Sequence, residues 1–94
     1  MTPEQLTLNI AVNLGRMARW AVEGKAARIN QFIPDTELYI DQLAKTPKNA
    51  GFEKTFQTFR KNFIILKNDI CLNEIGAEEM LTWANILTHR AKLA

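Results

Sequence analysis

Ninety-four residues, 1–94, make a single domain, with twelve Lys/Arg against ten Asp/Glu and a net charge of +2. An apolar content of 47% and a charged content of 23% exclude disorder, and the near-balance of charge excludes a case for nucleic acid built on net charge. One cysteine, Cys71, excludes an internal disulfide, and no apolar run approaches the ~20 residues of a membrane span.

The chain opens with a helix start. Thr2 suits the N-cap, Pro3 the first helical position, and Glu4 the positive end of the helix dipole. No basic stretch precedes an apolar one, so no signal peptide is expected and the cytoplasm is the simplest location. Leu6, Ile10, Leu14, Met17, Ala18 and Ala21 then form one apolar stripe, with Arg16, Arg19 and Glu23 opposite. Trp20 falls nearer the polar face. Gly24 interrupts the pattern, since an unbroken helix would carry Lys25 and Arg28 over the apolar stripe. The spacing predicts a long first segment of about 30 residues, roughly 45 Å, kinked near Gly24 and ended by Pro34, which disfavours helical geometry at Ile33.

A second, short helix is predicted from Pro34, with Asp35 and Glu37 in its first turn and Tyr39, Ile40, Leu43 and Ala44 on its buried side. Thr46-Pro47 closes it, and Lys48-Asn49-Ala50-Gly51 reads as a loop. The clearest signal follows. Phe52, Phe56, Phe59, Phe63, Leu66 and Ile70 recur at steps of four, three, four, three and four. At about 100° per residue they share roughly 80° of arc on one helix face, which no strand reproduces. This helix is predicted to run to about Leu72, with Ile64 and Ile65 off its main stripe. Asn73 and Gly76 mark a turn. Ala77, Glu78 and Glu79 begin a last helix whose stripe is Met80, Trp83, Ala84, Leu87 and Ala91. Four segments with short links imply an all-α, antiparallel helical bundle.

Candidate chemistry is sparse. His89 is the only histidine, and Ile86, not a carboxylate, stands three residues before it, so the Glu-x-x-His pattern of di-metal bundles is missing. Nor does an arginine stand four to six residues before it, as a helical ribonuclease built on that pair requires. His89 therefore reads as a surface residue. Cys71 follows an apolar run and reads as a structural thiol, with Lys67 one turn earlier. Glu74, Glu78 and Glu79 are explained by the helix dipole. No phosphate loop, nucleophile elbow or His-Glu-x-x-His motif is present, so no catalytic residue, metal ligand or cofactor is expected.

Two function classes remain beside an enzyme with scattered catalytic groups. The leading expectation is a non-enzymatic interaction protein, self-associating as a homo-oligomer or binding a partner protein through apolar helix faces. Trp20, Ile64, Ile65, Leu81 and Ile86, lying off the main stripes, are its candidate interface. The alternative is a small nucleic-acid-binding protein that grips phosphates with Arg16, Arg19, Arg60 and Lys61, Trp20 stacking on a base. It is the less favoured, because the cations spread around the helices.

Overall fold

The computed structural model describes residues 1–70 and 72–94. Four helices follow one another: α1 (Pro3–Val22), α2 (Ala26–Ala44), α3 (Ala50–Asn68) and α4 (Glu74–Arg90), with a closing 3-10 turn at Ala91–Leu93. There is no strand among the described residues. The all-α antiparallel bundle is the architecture that the periodicity predicts.

Local chemistry sets the ends of α1. The Thr2 hydroxyl accepts from the Gln5 backbone N–H at 3.1 Å, and the Gln5 side chain accepts from the Thr2 N–H at 2.9 Å, a reciprocal capping box. At the other end Gly24 sits at φ +70°. An L side chain is strained there and glycine is not, so the chain turns instead of continuing the helix. The predicted kink in one long segment is thus a complete break between two helices.

Pro34 corrects the second boundary. It does not end a helix but lies inside α2. Its ring removes one backbone hydrogen bond and costs about 3 kcal/mol in a helix interior. Against that, Ile29, Ile33, Thr36, Ile40 and Leu43 form an unbroken stripe at steps of four, three, four and three. Ile29 and Leu43, one before the proline and one after, are 1% and 0% exposed. Burial along the whole stripe outweighs the local penalty, and Pro34 itself faces solvent. The Thr36 hydroxyl donates to the Phe32 carbonyl at 2.8 Å and accepts from Asn13 Nδ2 at 3.3 Å, which ties α2 to α1 inside the core.

The α2–α3 link is organised by Lys48. Its side chain is 3% exposed. The ammonium donates to the carbonyls of Leu43 at 2.7 Å and Thr46 at 2.8 Å, and lies 3.3 Å from the Glu53 carboxylate. It also sits 5.0 Å from the centre of the Phe56 ring. A cation thus closes the negative end of α2 and joins it to the first turn of α3.

α3 carries the aromatic ridge inward. Phe52, Phe56, Phe59 and Phe63 are 0–5% exposed. The helix stops at Asn68, earlier than predicted, because Asp69 leaves helical geometry at φ −150° and ψ 68°. Ile70 packs against the core from beyond the helix end. α4 begins earlier than predicted, since the Asn73 side chain caps it by accepting from the N–H groups of Ile75 and Gly76. Gly76 is therefore buried in the first turn of α4 and is no part of a turn before it.

Side-chain size sets the spacing of the helices. α1 presents Ala11, Ala18 and Ala21, and α4 presents Ala77, Ala84 and the following Ala91, all buried. The two backbones run within 8 Å of each other along much of their length, and α1 approaches α2 similarly. α3 comes that close to another helix at isolated points at most. Its phenylalanines fill the gap and hold it away. α1 and α3 thus occupy opposite corners, each between α2 and α4.

Candidate protein-interaction surface

The flank where α3 meets α4 does not close over itself. Trp83, in mid-α4, sets its ring 5.5 Å from that of Phe59 and stays half-buried. On one side of Trp83 a depression of about 480 Å3 is lined by Asn62, Ile65, Leu66, Ile75, Glu78, Glu79 and Thr82. Ile65 and Ile75 are 71% and 64% exposed at its edge. On the other side of Trp83 a second depression, about 330 Å3, is lined by Lys54, Thr55, Thr58, Ile86 and Arg90. Ile75 also borders a shallow hollow with Val22, Leu72 and Glu74 at the end of the bundle.

Helix geometry explains why these residues are outside. In α3 the buried ridge uses positions 52, 56, 59, 63 and 66, and Ile65 lies about 100° from its neighbour Leu66. Ile64 falls on the other flank, 53% exposed, in a depression shared with Glu37, Ile40, Asp41, Arg60 and Lys67. There Lys67 Nζ bonds the Glu37 carboxylate at 2.6 Å and pins α3 to α2. Leu81 projects from α4, 46% exposed, and Ile86 is half-buried beside Trp83. Three candidates read from the sequence, Ile64, Ile65 and Leu81, are therefore exposed apolar side chains.

Trp20 has neighbours within its own chain. Its ring meets Phe32 edge-on at 4.7 Å and 73°, and the Arg28 guanidinium lies 5.9 Å from its centre. It remains half-buried. Neither the exposure of Ile75 nor the wedge position of Trp83 is legible in the helix periodicity. Ile75 lies between Asn73 and Gly76, which read as a turn, and the Asn73 cap places it on the first turn of α4.

The basic candidates stand on opposite corners. Arg16 and Arg19 are on α1, and Arg60 and Lys61 on α3. Arg16 lies 5.8 Å from the Phe32 ring centre and Arg60 5.8 Å from that of Phe56. Around Arg60 and Lys67 the α2/α3 depression also holds Glu37 and Asp41, so both signs alternate there.

His89 is exposed in the last turn of α4, and Cys71 lies outside the described residues. Among the described residues no group of three His, Cys, Asp or Glu side chains could hold a metal ion, and no helix is long and apolar enough to cross a membrane. No buried side-chain nitrogen or oxygen among the described residues lacks a hydrogen-bond partner. The Glu53 carboxyl is held below its ordinary value of 4.5 by the hydrogen bond from Gln57 and then by Lys48. Lys48 belongs to the α2–α3 link, and Gln57 lies one turn further along α3.

Compared with known protein families, curated proteins and solved structures, the chain matches none of them.

Proposed function

We propose that this chain is a non-enzymatic helical interaction protein, which self-associates or binds a partner protein through apolar helix faces, chiefly the α3/α4 flank. The observation that carries this reading is the exposure of Ile65 and Ile75 beside the half-covered Trp83, around a depression of about 480 Å3. Exposed apolar side chains beside a half-buried aromatic residue are what protein interfaces bury. The reading assigns no catalytic role to any residue. It uses the bundle as a rigid support that holds α3 and α4 at a fixed spacing.

The test is retention of protein on the immobilised chain, compared with Ile65→Asp/Ile75→Asp. Both positions are on the surface, so the fold tolerates the change, which circular dichroism checks. The wild type should retain a protein, whether a second copy or another species, that the variant releases. Equal retention by the two, or none by either, refutes the reading.

A further inference from the structure

The α3/α4 flank has a charge order that its exposed apolar residues do not require. The depression on one side of Trp83 carries Glu78 and Glu79, with no basic residue on its walls. The neighbouring hollow adds Glu74. The depression on the other side carries Lys54 and Arg90, with no acidic residue on its walls. Trp83 borders both. Glu78 and Glu79 precede Trp83 by five and four residues, and Arg90 follows it by seven. At 1.5 Å per residue the two signs lie about 6–8 Å and about 10 Å on either side of the ring. Among the described residues none of these five charges is in an ion pair within the chain.

A flank with acidic side chains at one end, basic ones at the other and Trp83 between them is complementary to itself. Rotating it by 180° about an axis through its centre lays each acidic end on a basic end. Two-fold dimers use this arrangement, because one patch must match its own rotated copy. The bundle's long sides measure 36 Å by about 20 Å, so the flank fits an interface at or below the ~800 Å2 per partner of standard size, one whose dimer forms at high concentration.

We propose that the α3/α4 flank is the interface of a homodimer, with a second copy packed antiparallel about a two-fold axis near Trp83. Ile65, Ile75 and Ile86 are covered by their counterparts, and Glu78 and Glu79 of each copy face Lys54 and Arg90 of the other. This rests on the interaction reading above and names its occupant. A partner of uniform charge would meet like charge at one end of the flank.

Sedimentation of the purified chain up to several hundred micromolar tests it. The wild type should sediment as a dimer that weakens with salt. Glu78→Lys/Glu79→Lys makes both ends basic, and Lys54→Glu/Arg90→Glu makes both ends acidic. Each variant alone should dimerise at least about tenfold more weakly than the wild type. Mixed in equal amounts they should regain a one-to-one heterodimer, visible by native mass spectrometry. Circular dichroism checks folding, and Lys54→Glu alone replaces the second variant should the double change unfold it. A wild type that stays monomeric, charge variants that dimerise like the wild type, or folded variants that fail to pair when mixed would each overturn the proposal. Retention of another protein by the wild type but not by Ile65→Asp/Ile75→Asp would then leave the broader interaction reading standing.

Discussion

Replacing Lys48 by methionine keeps most of the side chain's volume and removes only its charge and donors. The ammonium now serves the carbonyls of Leu43 and Thr46, at 2.7 and 2.8 Å, and the Glu53 carboxylate at 3.3 Å. A cation at a partly buried helix C-terminus contributes up to about 2 kcal/mol. Part of the loss is recovered, because the Leu43 carbonyl also accepts from the Thr46 N–H at 3.1 Å and a buried ammonium no longer has to be desolvated. Glu53 is substantially exposed, so its share is small. The net destabilisation expected is about 1–2 kcal/mol, which for a chain of this length lowers Tm by about 4–16 °C. Urea denaturation followed by far-ultraviolet circular dichroism measures it. A variant within about 0.5 kcal/mol of the wild type would show that the contacts of Lys48 do not hold the α2–α3 link, and the account of that turn would fall.

Gly24→Ala places a Cβ at φ +70° and should cost about 1 kcal/mol or more, read as a lower denaturation midpoint. Gly15→Ala has the opposite sign: it lies inside α1 with open space for a Cβ, so about 0.5–1 kcal/mol of stability should be gained. Phe59→Ala should cost about 3–5 kcal/mol, and it should shift Trp83 emission to the red, since the ring at 5.5 Å would be gone. Glu53 has a lowered carboxyl, so its contribution is present above the ordinary value of 4.5 and is lost as pH falls through its folded value. Glu53→Gln should therefore be slightly less stable than the wild type at neutral pH, with the difference closing in acid; a difference that grew on acidification would contradict the lowered value.

What the sequence disclosed follows from how local each determinant is. The phenylalanine ridge is a pattern within one helix, and it is buried as its spacing predicts. Ile64 and Ile65 stand outside the same pattern and are exposed for the same reason. Pro34 reads as a helix end because its penalty is local and visible, whereas the compensating stripe from Ile29 to Leu43 gains its energy only against other helices. The contact of Trp20 with Phe32 exists only once Gly24 has turned the chain back. Lys48 reads as a loop residue, yet the sequence carries a signal for its role: a lysine just after the end of a helix can reach its last carbonyls. The charge order of the α3/α4 flank was out of reach, because Lys54 and Arg90 come from different helices and meet only in the antiparallel register.

That register and the size of the core residues together decide where the bundle stays open. α1 closes tightly on α2 and α4, and its Ala11, Ala18 and Ala21 are all buried. α3 cannot do the same, since four phenylalanines set its distance from the opposite corner. A helix held outward exposes more of both flanks, and depressions flank it on the α2 and α4 sides alike. On the α2 side, charge closes the gap: Lys67 bonds Glu37 at 2.6 Å. On the α4 side no ion pair among the described residues crosses, and Trp83 enters only far enough to meet Phe59. The aromatic ridge that stabilises the monomer is thus also what leaves Ile65, Ile75 and Ile86 beside uncovered space. Smaller residues on α3 would draw α3 and α4 together and shrink that space. On this argument the core and the proposed interface are two consequences of one stripe, so substitutions that thin the ridge should weaken association as well as folding.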